Sequence, residues 1–319
     1  MIKGYDIIGD VHGCARTLAK LLEKLGYRKQ RDVYRHPDRQ AIFVGDIVDR
    51  GPRIREALHL VKDMVDAGSA QCVMGNHEYN AIGYTTLVVD GEESRFLRSH
   101  SARHNRCIAE TLEQFADYPD EWQMFLEWFK TLPLFLELPG FRVVHACWDD
   151  DLISRYKREY DSNQVDMDFI HASTTRGSFA FLMMDRLTRG TDMPLPDGVQ
   201  MHSREGFQRR FFRTKFWASN PKTYGDVVFQ PDPLPDAIAD KPLSADEAQR
   251  LIQYNADAPP VFVGHYWLQG APAPIAANVA CLDYSAVKFG RLVAYRFDGE
   301  QTLDQKKFVW VYVDPEAHL

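Results

Sequence analysis

No apolar run of about 18 residues occurs in the chain, so no membrane-spanning helix is expected. No apolar signal region or cleavage site precedes the strand-like segment that begins at Tyr5. No C-x-x-C pair is present either. The five cysteines (Cys14, Cys72, Cys107, Cys147 and Cys281) are scattered and odd in number, which suits a reducing, cytoplasmic setting better than a disulfide framework. Positive charge is not in excess: 38 Lys and Arg face 45 Asp and Glu, a net charge of −7. That argues against a broadly basic nucleic-acid surface and a membrane partner. It leaves an anionic substrate open, because a local metal site overrides net charge. Internal repeats and low-complexity tracts are also missing.

What is present suits a protein with a sizeable core. The 319 residues are 45% hydrophobic and 26% charged. The most informative stretch is Ala41–Gly51, A-I-F-V-G-D-I-V-D-R-G. A short apolar run ends at Gly45, and Asp46, Asp49 and Arg50 follow at once. The run reads as a buried strand entering a loop, and in open α/β sheets ligands bind at the carboxyl ends of strands. The pattern recurs four times. Tyr5–Ile8 leads to Asp10 and His12, Gln71–Met74 to Asn76, His77 and Glu78, Phe141–Val144 to His145, and Val261–Val263 to His265.

Around these runs the chain alternates. Leu18, Leu21, Leu22 and Leu25 recur at helical spacing, and Gly26 gives the stop. Arg31–Arg39 reads as a polar hairpin or loop. A second helix follows Pro52 and ends at Gly68, its buried face marked by Ala57, Leu58, Val61, Met64 and Val65. This β-α-β-α-β order predicts a parallel sheet covered by helices. Residues 92–132 read as helical, broken near Pro119. Leu134–Leu138 and Phe141–Val144 read as strands turning at Pro139-Gly140. Residues 150–258 are richer in charge and proline, and read as a cap-like insertion within one catalytic domain spanning 1–319. His145 and His265 flank that insertion, so their strands must converge. The closing segments Val279–Asp283, Leu292–Phe297 and Phe308–Val313 alternate and read as a second sheet.

Hard divalent cations take carboxylate, amide oxygen and imidazole ligands. The strand ends offer Asp10, His12, Asp46, Asn76, His145 and His265, with no cysteine among them. Asp46, on the central strand, is placed to bridge two ions. Such a pair lowers the pKa of a water and stabilises both attacking and leaving oxygens of a phosphoryl transfer. His77, next to Asn76, points past the metals toward a leaving group, with Asp49 holding its imidazolium as a general acid pair. Arg50 offers a planar fork to phosphate oxygens. Glu78 is read either as a buttress of Arg50 or as a salt-bridged neighbour. Cys14 and Cys147 are read as small packing residues.

These motifs, G-D-V-H-G (9–13), G-D-I-V-D-R-G (45–51) and G-N-H-E (75–78), resemble the calcineurin-like metallophosphoesterase family. The D-R-G ending is that of the branch shared by phosphoprotein phosphatases and bacterial diadenosine tetraphosphatases. G-H-Y-W (264–267), A-C-L-D-Y-S-A-V (280–287) and G-R-L-V-A (290–294) resemble the tail of the diadenosine tetraphosphatases. The resemblance covers roughly 1–148 and 259–298. It implies an α/β fold of two β-sheets packed as a sandwich with helices outside. It implies one metal held by Asp10, His12 and Asp46 and a second held by Asp46, Asn76, His145 and His265. The metals implied are Mn²⁺ most often, with Fe, Zn, Co or Ni also used. His77 with Asp49 would be the acid pair, and Arg50 and Asn76 would contact substrate. The family's usual H-G-G is His145-Ala146-Cys147 here. Protein phosphatases place a second phosphate-binding arginine between the last two histidine ligands. Arg209, Arg210 and Arg213 are the candidates, and Arg213 is taken forward. The reading is a metallophosphatase acting on a dinucleoside polyphosphate or a phosphomonoester. A serine/threonine protein phosphatase and a nucleic-acid end-processing phosphatase, the latter using the Phe207–Trp217 stretch, are the alternatives. A degenerate binding module would have lost a ligand position, and none is lost.

Overall fold

The computed structural model describes residues 2–90, 93–196, 199, 201–202, 208–209, 211–229, 234 and 236–313. Two main sheets carry the site. In the first, the strands run Asp283–Tyr284, Arg291–Phe297, Gly4–Ile8, Arg39–Phe43 and Ala70–Cys72, with Phe308–Tyr312 also paired to Arg291–Phe297. Gly4–Ile8, Arg39–Phe43 and Ala70–Cys72 pair in parallel, with Ile7 opposite Ile42 and Phe43 opposite Cys72. Arg291–Phe297 joins antiparallel, with Ile8 opposite Ala294. The second sheet orders Val279–Cys281, Val261–Val263, Phe141–Val144 and Phe135–Leu138.

These strands are apolar on both faces because both faces are covered. Ile7, Ile42, Val143 and Phe262 point into a core shared by the two sheets, while their neighbours Ile8, Phe43, Val144 and Val263 join a core on the helix side. Aromatic rings tie the sheets together: Phe141 lies 4.5 Å from Phe297 and Phe262 lies 5.1 Å from Tyr295. The helix Ala15–Leu25 buries Leu18, Leu21, Leu22 and Leu25 and ends at Gly26, whose φ of 96° a side chain would resist. Ile54–Asp66 buries Ala57, Leu58, Val61 and Met64. Pro119–Lys130 buries Phe125, Leu126, Trp128 and Phe129. The result is the expected α/β sandwich of two sheets flanked by helices.

Three local expectations change. The closing segments do not form a separate sheet. Val279–Cys281 runs parallel to Val261–Val263 in the second sheet, whereas Arg291–Phe297 and Phe308–Tyr312 widen the first. Their alternation gave the strands but not their partners, which depend on long-range pairing. Second, 92–132 is not helical from its start. Leu87–Asp90 and Glu93–Phe96 form an antiparallel hairpin before the helices Ala102–Gln114 and Pro119–Lys130. The β-branched pair Val88-Val89 favours that strand. Third, the sheet expected to be parallel is mixed.

Residues 150–258 hold the helices Asp150–Tyr160, Met167–Ala172 and Phe179–Arg189 and a sheet of Thr191–Pro194, Phe211–Thr214 and Val228–Phe229. Met193, Phe212, Tyr224, Val227, Val228 and Ile238 form a small core of their own. Met183, Met184, Leu187 and Phe216 pack instead into the main helix-side core, and Trp217 meets Tyr266 edge-on at 5.0 Å. Among the described residues no helix is long and apolar enough to cross a membrane.

Candidate metal centre and active-site cleft

The five strand ends converge. Asp10, His12, Asp46, Asn76, His77, His145 and His265 are all buried. The Asp46 carboxylate is the common neighbour. Its Oδ2 lies 3.3 Å from His145 Nε2, 3.6 Å from His12 Nε2 and 4.0 Å from His77 Nε2. Two donor groups share it, His12–Asp46–His77 and Asp46–His145–His265. Asn76 Oδ1 sits 3.2 Å from His145 Nε2 and 2.8 Å from His265 Nδ1. Asp10 belongs to neither group. Its carboxylate accepts the backbone N–H of His265 at 3.1 Å.

The local backbone is bent to achieve this. His12, Asp46, Asp49, Arg50, His265 and Trp267 all have positive φ, between 41° and 70°. They are half of the non-glycine residues with positive φ among those described, and such backbone clusters where function holds it. Gly45 (φ 94°) is forced to be glycine, because a Cβ there would lie 2.5 Å from the Gly75 nitrogen. Glu78 holds the bend. Its carboxylate accepts the backbone N–H groups of Asp46 (2.9 Å), Ile47 (2.8 Å), Val48 (3.3 Å) and Gly75 (3.0 Å). It is therefore a backbone clamp, not a buttress of Arg50 and not a salt-bridged neighbour. The G-N-H-E motif named Glu78 but gave no sign of what it would bind.

The imidazoles are set to be ligands. His12 Nδ1 lies 3.0 Å from the Val48 carbonyl, and His145 Nδ1 lies 2.7 Å from the Val44 carbonyl. A carbonyl only accepts, so each Nδ1 carries a proton and Nε2 is the nitrogen left to face a cation. The Nε2 atoms of His12 and His265 are buried with no hydrogen-bond partner. Two such orphans beside one buried carboxylate fit bound cations. Burial lowers both His12 and His265 well below the usual imidazole range, aided by Arg50 and Arg213 respectively, which keeps them neutral and ready to ligate. His145 differs. Burial would lower it too, but the carboxylates of Asp46 and Asp10 push it up to about 10. A proton there balances buried negative charge that a divalent ion would balance in its place.

Beside this centre, His77 Nδ1 and Asp49 Oδ2 are 2.6 Å apart, and Thr111 donates to the other Asp49 oxygen at 2.5 Å. Asp49 is 2% exposed, so this ordered carboxylate faces His77 without competing water. Thr111 and Asp283, which accepts the backbone N–H groups of Trp267 and Ser285, were not found from the sequence. Thr111 lies mid-helix with no local signal, and Asp283 is one acidic residue in an apolar run.

The centre opens on a cleft of about 290 Å³. Asp46, Asn76, His77 and His265 form its floor. Arg50, Arg98, Arg103, Arg189 and Arg213 line its walls, with Asp185 and Asp192. Arg50 has a buried Nη1 without a protein partner and stacks 4.6 Å from the Trp267 ring. Arg213 reaches the His265 carbonyl at 3.5 Å. Arg210 and the side chain of Arg209 lie outside the described residues, as does Phe207 at the head of the aromatic stretch considered for nucleic acid. Cys14 and Cys147 are buried thiols, Cys14 pushed up to about 12 by burial and Cys147 raised for the same reason, as packing residues are.

Two facing sheets with a shared carboxylate and paired histidine groups at their strand ends define a metallophosphoesterase. Residues 5–265 match the calcineurin-like phosphoesterase model, and the chain belongs to that family. Among relatives, it is 35% identical over 165 residues to the asymmetrical bis(5'-nucleosyl)-tetraphosphatase of Halalkalibacterium halodurans, covering 50% of this chain and 63% of that protein. It is 33% identical over 142 residues to the symmetrical bis(5'-nucleosyl)-tetraphosphatase of Psychromonas ingrahamii, covering 44% and 42%. The chain thus spans less than two thirds of the length of these curated relatives. A protein serine/threonine phosphatase from Saccharomyces cerevisiae shares the fold at a TM-score of 0.51 and 16% identity, covering 97% of this chain and 78% of that one.

Proposed function

We propose that this chain is a metal-dependent hydrolase of phosphoester or phosphoanhydride bonds, with a dinucleoside polyphosphate as its preferred substrate class. The observation that carries the reading is the pair of orphaned imidazole nitrogens, His12 Nε2 and His265 Nε2, on either side of the buried Asp46. Asp10, His12 and Asp46 would hold one divalent ion, and Asp46, Asn76, His145 and His265 a second, with Mn²⁺ the expected occupant. The ions would supply an acidified water and charge neutralisation at the phosphoryl group.

The chain's own residues do the rest. Arg50 lines the cleft, keeps an Nη1 without a protein partner and binds phosphoryl oxygens as a planar fork. Arg213 approaches from the insertion and binds from the opposite side, the role of the second arginine expected between the last two histidines. His77 gives a proton from Nε2 to the leaving oxygen, while Asp49 fixes its Nδ1 and stabilises the imidazolium. Residues 150–258 act as a cap over the cleft and set substrate choice. The dinucleotide preference draws on the names of the relatives.

The test compares turnover of diadenosine tetraphosphate, a phosphoserine/phosphothreonine peptide and p-nitrophenyl phosphate in Mn²⁺, each repeated with EDTA. Preference for the dinucleotide, abolished by EDTA, is expected. Turnover of the peptide and aryl phosphate alone would replace the substrate class with phosphoproteins. Undiminished turnover in EDTA would end the metal reading.

A further inference from the structure

Five arginines against three aspartates line one cleft in a chain whose net charge is −7, so the local sign is reversed. Arg50 and Arg213 flank the metal-side floor. The other three lie farther out. Arg98 follows the hairpin Leu87–Asp90 and Glu93–Phe96, Arg103 opens the helix Ala102–Gln114, and Arg189 closes the helix Phe179–Arg189. Arg189 connects the two ends, since its charge acts on both His265 and Arg98.

The outer group is poorly neutralised. Arg189 pairs with Asp185 at 3.1 Å and donates to Asn80 Oδ1 at 2.7 Å. Among the described residues, neither Arg98 nor Arg103 has a carboxylate partner. Arg98 is partly buried. Burial first, and then the neighbouring Arg189 and Arg103 guanidiniums, push it down to about 10. Of the three, Arg98 is the guanidinium partly withdrawn from water with like charge beside it and no carboxylate partner, a situation that a bound anion relieves. The surface offers a contrast: Arg55, equally free to face water, forms a bidentate pair with Glu121.

We propose that Arg98, Arg103 and Arg189 form a second phosphate subsite, so that the cleft is built for a chain of phosphoryl groups running from the metal floor to this outer pole, and not for a single phosphomonoester. The assignment rests on the hydrolase reading for where the reacting phosphoryl sits. The outer pole holds a phosphoryl group that does not react. It orients the substrate and contributes binding energy remote from the bond that breaks. Arg103 is exposed and guides entry, while Arg98 and Arg189 make the closer contacts.

Calorimetric binding of tripolyphosphate and of orthophosphate to the full chain tests this, with Mn²⁺ in excess over total phosphate and again after dialysis without metal. The intact chain should prefer tripolyphosphate by about tenfold or more, as one added charge-assisted contact implies. Arg98→Gln should remove most of that preference, Arg98→Lys should restore part of it, and Arg103→Gln should reduce it about threefold. Equal affinity of the intact chain for the two probes overturns the subsite. So does an unchanged preference in the variants, or an equal loss for both probes. Should Arg98→Gln fail to fold, the exposed Arg103→Gln decides. Because the readout is binding, absent turnover on every substrate would remove the hydrolase reading while the subsite still stood or fell on this ratio.

Discussion

The two walls of the cleft are made differently. The strand-end wall, with Asp10, His12, Asp46–Asp49, Asn76–Glu78 and His265, is buried and well hydrogen-bonded, and its backbone is left-handed at His12, Asp46, Asp49 and His265. The outer wall, with Arg98, Arg103, Asp185, Arg189 and Asp192, and with Arg213 where it meets the floor, sits on helices, a loop and a small three-stranded sheet, with more exposed side chains. One wall is fixed by carboxylates and carbonyls that accept backbone and imidazole N–H groups. The other carries most of the positive charge of the cleft. On the proposed roles, chemistry and substrate selection fall to separate parts of the chain, and substitutions in each should fail in different ways.

The largest effect is expected at the junction of the two donor groups. Asp46→Asn should lower turnover by about 10³-fold or more and reduce bound metal, read by elemental analysis of the dialysed protein. Normal metal content with normal rate would break the bridging assignment. His77→Asn should keep the metal and slow turnover by about 10²- to 10³-fold, most for substrates with poor leaving groups. A uniform loss across good and poor leaving groups would count against proton donation.

Glu78→Gln tests whether rigidity defines the inner wall. Four backbone N–H groups would lose a carboxylate, and an amide N–H₂ would face some of them. Stability should fall by about 2–3 kcal/mol in urea unfolding. The sign with pH can also be read. Burial raises Glu78 above the usual carboxylate range, so its deprotonated form is disfavoured on folding; this contribution is largest as a penalty above the folded value and fades as pH falls. Acidification should therefore widen the gap between the parent and Glu78→Gln, because only the parent is relieved of that penalty, and a shrinking gap would contradict that account. On the outer wall, Arg213→Gln should raise KM about tenfold with a smaller change in kcat. An equal collapse of both would mean that this arginine belongs with the inner wall. The smallest effect is expected for Thr111→Val, a loss of about 1 kcal/mol of Asp49 ordering, seen as a several-fold drop in kcat.

The same division explains what could be read from the sequence. The inner wall is written locally: an apolar run, a glycine that permits the bend, then the ligands. Asp10, His12, Asp46, Asn76, His77 and His265 were readable that way, His145 follows its apolar run directly, and the structure gathers all seven. Partners fixed by tertiary packing left no local mark. Thr111 reaches Asp49 from a helix 62 residues away, and Arg98 and Arg189, 91 positions apart, line the same cleft. Glu78 was visible as a motif member, yet its targets are backbone atoms that no residue pattern names. The fold was legible as layers but not as strand order, since Arg291–Phe297 had to cross most of the chain to pair with Gly4–Ile8.

One hydrogen bond described above has a wider meaning. Val44 directly follows the strand Arg39–Phe43 of the first sheet and His145 directly follows Phe141–Val144 of the second, and the 2.7 Å link between them crosses the seam. The contact between His265 and Asp10 crosses it again. The centre is therefore a gauge of alignment. A slide of one layer over the other by a single residue, about 3.3 Å, would part every facing pair at once. A core substitution at Phe141 or Phe297, far from any reacting atom, would then register first as lost activity and only later as lost fold.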